Sequence, residues 1–339
     1  MSTTPEERKI HVAEGGEVKS VDAVTPEEQV FEVVIIGGGP AALAATLYVA
    51  RAGRSHITLE GARPGGQLLN TTDIENYPGV GTKNGFDLVD GMRKQALESG
   101  GVFDSASGDV ERVDFKVSPF RIYTASETPF LAKSVIIATG STPKRLSYIS
   151  DPKGGWWNAK TCAVCDGGLK HFKGKPVAVI GGGDSAMEEA LFLAKRSKPV
   201  YVIHRSTTFK ASKVMYKRAL AEPNIKFITD TVIEAFTSGE GRPADEITAA
   251  RLLNTVTKEQ TTLELSGVFF AIGHTPCTAF LGNQVKLSTE GYIELEGRSQ
   301  QTNVTGVFAA GDVHDHVYRQ AITAAGAGAA AGIEADRYL

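Results

Sequence analysis

Short apolar runs, each followed by a glycine turn and an amphipathic stretch, punctuate this chain. The first run, Phe31–Ile36, is rich in β-branched residues and leads into Gly37-Gly38-Gly39-Pro40-Ala41-Ala42. An alanine-rich amphipathic stretch continues to about Ala52. This order predicts a strand, a tight turn and a helix. A second apolar segment, Ser55–Leu59, predicts another strand and ends in Glu60.

The residues of this first unit suit the binding of a dinucleotide. Gly37 permits the turn, Gly39 lets the backbone approach a pyrophosphate at the helix N-terminus, and Ala42 lets the helix pack on its strand. Glu60, roughly 20 residues after the turn, can accept hydrogen bonds from ribose hydroxyls. A glycine turn alone is weak evidence, but with the strand, the helix and Glu60 it predicts a nucleotide site suited to FAD.

The same pattern recurs in the middle of the chain. Residues Pro176–Ile180 lead into Gly181-Gly182-Gly183-Asp184-Ser185-Ala186, a helix to about Lys195 and the strand Val200–Ile203. His204, Arg205 and Lys210 stand where an acidic residue would recognise a free ribose. Cationic groups attract a 2′-phosphate, so this unit suits NADP. A solvated basic patch is the alternative interpretation of Arg205 and Lys210.

Three further segments fit two nucleotide-binding units. Ser134–Ile137 predicts a buried strand that ends in the small-residue turn Ala138-Thr139-Gly140, and Gly306–Ala310 places Gly311 and Asp312 after another apolar run. Asp312 suits either a hydrogen bond to a ribityl chain or a cap on the following helix. The Ala- and Gly-rich stretch 321–331 predicts a helix able to pack closely beside a flat cofactor or another helix. The predicted fold class is α/β, with two Rossmann-like domains.

Composition limits the setting. The 339 residues allow two domains, and the net charge of −3 with a pI of about 6.2 argues against a nucleic-acid partner. No apolar run approaches the roughly 18 residues that cross a bilayer. Residues 1–30 lack the apolar block of a secretion signal, so we expect a cytoplasmic protein that does not bind membranes. We predict that this segment is a mobile extension and not a transit peptide.

Two of the three cysteines lie together in Thr161-Cys162-Ala163-Val164-Cys165-Asp166. Structural zinc sites normally use paired ligand clusters, and Cys277 is distant, so we expect no metal. A purely structural disulfide is disfavoured in a reducing compartment. A redox-active dithiol explains the spacing, because a CxxC turn at a helix start brings the sulfurs together and lowers one thiol pKa. Asp166 follows directly, either as a proton donor and acceptor or as a helix cap.

Taken together, the motifs resemble those of the low-molecular-weight thioredoxin reductases of bacteria, fungi and plants, which are class II pyridine nucleotide-disulfide oxidoreductases. The resemblance runs from about Val33 to the end of the chain. It rests on "GGGPAA", "PGGQL" (64–68), "IENYPG" (74–79), "ATG", "CAVCDGG", "GGGDSAMEEA", "AIGHTP" (271–276), "GVFAAGD" and "YRQAITAAGAG" (318–328).

This resemblance implies a homodimer whose partner is thioredoxin and whose cofactors are FAD and NADPH. It implies a discontinuous FAD domain at 31–145 and 276–339, and an inserted NADPH domain at 146–275 that carries the CxxC. The implied FAD contacts are Gly37, Gly39, Pro40, Ala41, Glu60, Gly66, Gln67, Leu68, Asn76, Ala138, Thr139, Gly140, Gly311, Asp312, Arg319, Gln320 and Ala321. The implied NADPH contacts are Gly181, Gly183, Asp184, Ser185, His204, Arg205, Lys210, Ile272 and Gly273.

The family mechanism, carried to this chain, passes a hydride from NADPH to FAD and then reduces the Cys162–Cys165 disulfide. The resemblance implies that Cys165 is the sulfur next to the flavin, that Cys162 attacks the disulfide of thioredoxin, and that Asp166 exchanges protons. It also implies a rotation of the NADPH domain between the two half-reactions.

One departure concerns the coenzyme. The family's His-Arg-Arg followed by a further Arg is His204-Arg205-Ser206 and Lys210 here, so we expect weaker preference for NADPH. Competing functions are a flavin-dependent dithiol oxidase, disfavoured by the intact second glycine turn, and a non-catalytic nucleotide sensor, disfavoured by the retained Cys162, Cys165 and Asp166. The flavoprotein of alkyl hydroperoxide reduction would need an additional domain that about 30 residues cannot form.

Overall fold

The chain forms two compact units. The structure is a computed structural model and describes residues 10–14, 17–21, 29–62, 64–70, 74, 76–81, 83–126, 128–144, 146, 149 and 155–339. Unit 1 comprises residues 1–142 and 275–339, and unit 2 comprises residues 143–274. The predicted boundary residue 145 lies outside the described residues.

Unit 1 begins with nine strands and two helices. The strands are β1 (Ile10–Glu14), β2 (Glu17–Val21), β3 (Val30–Ile36), β4 (His56–Leu59), β5 (Phe103–Asp104), β6 (Arg112–Asp114), β7 (Phe120–Tyr123), β8 (Phe130–Ile137) and β9 (Ser141–Pro143). The helices are α1 (Pro40–Arg51) and α2 (Gly85–Glu98), and a 3₁₀ helix covers Gly66–Asn70.

Unit 2 carries the next eight strands and three helices. The strands are β10 (Ala159–Lys160), β11 (Val177–Ile180), β12 (Val200–Ile203), β13 (Ile225–Ile228), β14 (Thr231–Thr237), β15 (Ala249–Asn254), β16 (Gln260–Glu264) and β17 (Val268–Phe270). The helices are α3 (Ala163–Asp166), α4 (Asp184–Leu193) and α5 (Lys213–Ala221). The chain then forms β18 (His274–Pro276), β19 (Val307–Ala309) and α6 (Ala321–Tyr338), and β18 pairs with β9.

A parallel sheet forms the core of each unit. In unit 1, β5, β4, β3, β8 and β19 are parallel neighbours in that order. On the other side, β7 pairs antiparallel with β8, and β6 pairs antiparallel with β7. In unit 2, β10, β17, β11, β12 and β13 form a second parallel sheet, beside a separate antiparallel sheet of β14, β15 and β16. The predicted α/β class with two Rossmann-type units is confirmed.

The first glycine turn holds its place because no side chain fits there. Gly37 has φ +131°, and a Cβ built on it would collide with the Ala138 carbonyl. Residues Val33–Ile35 of the preceding strand have no exposed surface, so the continuous apolar run is explained by burial on both faces of the sheet. Close packing therefore fixes the loop that follows β3.

The N-terminal segment differs from the predicted mobile extension in two places. β1 and β2 pair antiparallel, and His11 of β1 pairs with Phe103 of β5 at the edge of the sheet. The unpaired backbone groups of an edge strand readily accept a further strand, which is the physical reason for this addition. The signal that was overlooked is Gly15-Gly16, a dipeptide typical of two-residue hairpin loops, which follows the alternating Ile10 and Val12. Residues 1–9, 15–16 and 22–28 lie outside the described residues.

Candidate active site

Cys162 and Cys165 form a disulfide bond at the start of α3, with their Cα atoms 5.4 Å apart. Cys162 is the N-cap residue of the helix, and its sulfur accepts a hydrogen bond from the Cys165 backbone N–H at 3.2 Å. The predicted CxxC turn at a helix start is therefore present. Both cysteines are partly exposed, whereas Ala163 between them is fully buried.

Asp166 is the last residue of α3 and is buried beside this disulfide. Its backbone N–H donates to the Cys162 carbonyl at 3.1 Å, and its side chain lies 3.8 Å from the Lys160 ammonium. Because Cys162 caps the helix, Asp166 does not serve as its N-cap. A buried acid next to a disulfide can exchange protons with the thiols that reduction produces.

Glycines form the loop before α1 in unit 1 and the segment that packs against it. Gly39 is the N-cap of α1 and has no side-chain cap, and Pro40 is the first residue of the helix. Gly38 accepts a hydrogen bond from Gly65 N–H at 2.9 Å, and a Cβ on Gly66 would lie 3.1 Å from the Gly39 Cα. The uncapped helix N-terminus offers free N–H groups to an anion, so these residues fit the pyrophosphate of FAD.

Glu60 lies at the end of β4 with a side chain that has no exposed surface. Arg93 of α2 donates to both of its carboxylate oxygens, at 3.1 and 2.9 Å, and Ser105 donates to Oε2 at 2.6 Å. A carboxylate offers about four acceptor positions, and these bonds use three of them. Sequence reasoning missed Arg93 and Ser105, because nothing in the sequence marks residues 33 and 45 positions away as its partners.

The other residues that the sequence predicts as FAD contacts also lie in unit 1. Thr139 donates to the Cys277 carbonyl at 2.7 Å, and Gly140 accepts from Cys277 N–H at 3.0 Å, which fixes the turn after β8. Asn76 donates to the Gln320 side chain at 3.0 Å. Other members of the set lie on the 3₁₀ helix (Gly66, Gln67, Leu68), on the turn after β8 (Ala138) and around the start of α6 (Arg319, Ala321).

Asp312 lies in a 3₁₀ turn at Gly311–Val313, nine positions before α6 begins. Gln320 and Thr323 cap α6, so the alternative role of Asp312 as the cap of that helix is wrong. Burial raises the pKa of Asp312 to about 6, Asp315 adds to this effect, and Arg319 opposes it. A desolvated carboxyl group with this pKa is suited to a hydrogen bond from a neutral hydroxyl.

The glycine turn of unit 2 is bound to the basic loop that follows β12. Gly181 has φ +155°, and Gly182 accepts hydrogen bonds from the Lys210 and Ala211 N–H groups at 2.8 and 3.0 Å. Asp184 accepts from Ser212 N–H at 2.7 Å. These bonds place the basic loop beside the N-terminus of α4, where the phosphates of NADPH would bind.

Two of the basic residues that we predicted at this site are exposed, Arg205 and Lys210, whereas His204 is half-buried against Phe209, with ring centroids 4.7 Å apart. Ser185 lies in the first turn of α4, and Gly183 is its N-cap. Ile272 and Gly273 follow β17, and Gly273 accepts from Lys144 N–H at 2.9 Å. The loop anchors Phe209 and Ser212 were not found from the sequence.

Comparison with known proteins decides the family. Residues 31–328 match the family described as Pyridine nucleotide-disulphide oxidoreductase. "Thioredoxin reductase 2" of Arabidopsis thaliana is 46% identical over 328 residues, which cover 94% of this chain and 84% of the relative. "Thioredoxin reductase" of Mycolicibacterium smegmatis is 43% identical, with 93% and 99% covered. The solved thioredoxin reductase of Giardia duodenalis has a TM-score of 0.83 at 36% identity, with 92% and 99% covered.

The chain belongs to the thioredoxin reductases of this family. It is therefore an NADPH-dependent flavoprotein disulfide reductase, its cofactors are FAD and NADPH, and Cys162–Cys165 is its redox-active disulfide. In the part of this thioredoxin reductase that the structure describes, no helix is both long and apolar enough to cross a bilayer. Among the same residues, no group of three or more His, Cys, Asp and Glu side chains is arranged to hold a metal ion.

Proposed function

We propose that this thioredoxin reductase reduces the disulfide of a thioredoxin through Cys162 and Cys165, with Asp166 as the proton carrier. The supporting observation is the disulfide at the start of α3, with the buried residue Asp166 directly after Cys165 in the chain. Disulfide exchange needs a thiolate to attack and an acid to protonate the sulfur that leaves, and both groups are present within five residues.

The glycine cradles and their polar neighbours fit the two cofactors. Gly37, Gly39 and Pro40 would hold the pyrophosphate of FAD, while Glu60 and Asp312 would accept hydrogen bonds from its ribose and ribityl hydroxyls. Residues 181–185 and the basic loop 204–210 would hold NADPH. When bound, these cofactors supply the hydride transfer that delivers two electrons to the Cys162–Cys165 disulfide.

The two cysteines have different tasks in this proposal. Cys165 would be the sulfur that receives the electrons first, so that the disulfide opens. Cys162 then attacks the disulfide of thioredoxin and forms a mixed disulfide, which Cys165 resolves. Asp166 takes the proton from the attacking thiol and returns it to the departing thiolate.

The domain organisation fits two half-reactions in one subunit. We assign residues 31–145 and 276–339 to the FAD domain and residues 146–275 to the NADPH domain. The chain crosses between the two observed units twice, at 142–143 and 274–275, which would permit rotation of the NADPH domain as a body. We further propose a cytoplasmic homodimer.

Anaerobic titration of the yellow holoenzyme with NADPH, and in parallel with NADH, tests the direction of electron flow. We expect flavin bleaching and the consumption of one hydride equivalent for the flavin and one for the disulfide. If neither coenzyme bleaches the flavin while a small dithiol does, electrons enter from the dithiol and the proposal is wrong.

Trapping of the mixed disulfide tests the roles of the cysteines. Cys165→Ser leaves Cys162 free to attack. Its partner is a thioredoxin that lacks its own resolving cysteine and carries nitrothiobenzoate as a mixed disulfide on its remaining cysteine. Cys162 should displace the nitrothiobenzoate and form a stable covalent adduct. Cys162→Ser should form none. Mass spectrometry of the non-reduced mixture distinguishes the two, and the opposite pattern would show that the two roles are exchanged.

A further inference from the structure

A lysine is buried beside the redox-active disulfide. Lys160 is the last residue of β10 and precedes Cys162 by two positions. The residue is only 7% exposed, and its ammonium nitrogen lies 3.8 Å from Oδ1 of Asp166. The side chains of Lys160 and Asp166 are both 8% exposed, so the pair is shielded from bulk water.

The burial of this pair has an electrostatic consequence. A buried carboxyl group favours the neutral acid, because burial removes the hydration of the charged form. An ammonium group nearby opposes that preference, because it stabilises the carboxylate. The Lys160 charge also offsets the negative charge that Asp166 would otherwise place beside a cysteine thiolate.

Among the described residues, the helix packed against α3 and the strand paired with β10 carry no basic side chain. The helix packed against α3 is α4, and its charged side chains are all carboxylic acids: Asp184, Glu188 and Glu189. Asp184 and Glu188 are exposed and Glu189 is half-buried. The strand paired with β10 is β17 (Val268–Phe270), which has no charged residue. The ammonium group of Lys160 supplies a positive charge at ion-pair distance from Asp166.

We propose that Lys160 is a positioning residue that keeps Asp166 ionised and in place beside Cys162, so that the carboxylate can act as a proton acceptor near neutral pH. This inference rests on the proton-carrying role of Asp166 in the proposed function. It gives a role to Lys160, a residue that belongs neither to the CxxC motif nor to the nucleotide-binding motifs.

The proton balance of the step is simple. The carboxylate of Asp166 takes the proton of the Cys162 thiol, and the resulting thiolate attacks a disulfide R–S–S–R. A bond forms between Cys162 and one sulfur of R–S–S–R, the S–S bond breaks, and one thiolate leaves. Cys165 then displaces the second thiolate and restores the Cys162–Cys165 disulfide. Two electrons pass from the enzyme dithiol to R–S–S–R, and the two thiol protons go to the products or to solvent.

A ratio of rate constants measures the ionisation of Asp166 within the holoenzyme. Holoenzyme reduced anaerobically with NADPH is mixed with 5,5′-dithiobis(2-nitrobenzoic acid), and the release of nitrothiobenzoate is followed by stopped-flow absorbance across pH. Dividing the rate of the native enzyme by that of Asp166→Asn removes the titration of the thiols themselves. The same ratio is taken between Lys160→Met and the double variant Lys160→Met/Asp166→Asn.

We expect the pH at the midpoint of this ratio to be at least about one unit higher when Lys160 is absent. The reason is that an opposite charge within about 4–6 Å lowers the pKa of a carboxyl group by about 1–3 units. Lys160→Arg should restore the native midpoint. Lys170→Met removes an exposed ammonium nearby and should leave both rate and midpoint unchanged. If Lys160→Met does not fold, Lys160→Gln retains a polar group at the buried position and is measured in the same way.

The outcomes separate the two proposals. A uniform loss of rate with an unchanged midpoint would show that Lys160 serves packing only, and the inference would be wrong. If Asp166→Asn reacts like the native enzyme at every pH, the proton-carrying role of Asp166 itself fails, and the inference about Lys160 fails with it. A shifted midpoint that Lys160→Arg restores supports both.

Discussion

Replacement of Arg93 by methionine tests whether the pair between Arg93 and Glu60 stabilises the FAD domain. Arg93 donates to both oxygens of the Glu60 carboxylate, and its guanidinium lies 4.7 Å from the ring centroid of Phe103. The Glu60 side chain has no exposed surface, while that of Arg93 is 26% exposed. Arg93→Met would therefore leave a fully buried carboxylate with Ser105 as its remaining described donor.

The size of the effect follows from this geometry. Removing one partner of a buried ion pair costs about 3–5 kcal/mol, and loss of a cation–π contact adds about 0.5–1 kcal/mol. The partial exposure of Arg93 lets water reach its end of the pair, which reduces the cost. We expect the free energy of unfolding to fall by about 3 kcal/mol.

Urea denaturation at pH 7, followed by circular dichroism at a fixed FAD concentration, measures this change. Fixed FAD is needed because a ligand that binds only the folded state adds to the apparent stability. Lys94→Met is the matched control on the same helix, since the Lys94 side chain is 68% exposed and pairs with Asp90 at the surface. It should produce no measurable change.

A double-mutant cycle separates the ion pair from general packing. In the Glu60→Gln background the buried charge is gone, so Arg93→Met should cost about 2 kcal/mol less than in the native protein. An equal loss in both backgrounds, or a single variant as stable as the native protein, would refute the reasoning.

Three further predictions concern other sites. Because the pKa of Asp312 is raised to about 6 from 3.8, its contribution to stability is present below pH 3.8 and is lost as the pH rises through 6. Denaturation of the FAD-free protein should therefore show Asp312→Asn gaining about 2 kcal/mol on the native protein between pH 4 and 7, and parallel curves would contradict this. The double variant Ser206→Arg/Lys210→Arg should raise the ratio of kcat/KM for NADPH to that for NADH at least about tenfold, because guanidinium groups bind a phosphate bidentately. An unchanged ratio would show that the 2′-phosphate binds elsewhere. Gly328→Ala in α6 would press a methyl group onto the backbone of α1 and should lower the free energy of unfolding by about 1–3 kcal/mol. Gly326→Ala in the same helix meets open space and should not, so equal effects would argue against close packing of α1 and α6.

The pattern of the sequence was sufficient for the elements that nucleotide binding requires. The run Phe31–Ile36 is apolar because its strand is buried on both faces of a parallel sheet, and Gly37 is glycine because a Cβ would strike Ala138. Any turn of this kind meets the same constraints, so it requires similar residues wherever it occurs. The CxxC at a helix start was predictable for the same reason, because Cys162 and Cys165 are separated by three positions.

Only the tertiary structure decided which side chains meet. The partners of Glu60 come from α2 and from the loop after β5, and that of Asp166 comes from the end of another strand. No short-range pattern encodes these pairs, because each depends on how separate elements pack. The N-terminal segment is a similar case. Its sequence suggested a mobile extension, but β1 pairs with β5 at the edge of the sheet in unit 1.

The sequence by itself thus determined two nucleotide-binding units, their order and the cysteine pair, since these follow from local backbone geometry and burial. The tertiary structure alone decided the electrostatic surroundings of the functional carboxyl groups. Asp312, Glu60 and Asp166 have the same kind of side chain, but burial, Arg93 and Lys160 give them different charges to face. Their chemistry is a property of the folded chain, because Coulomb interactions and desolvation depend on distance in space and not on distance in sequence.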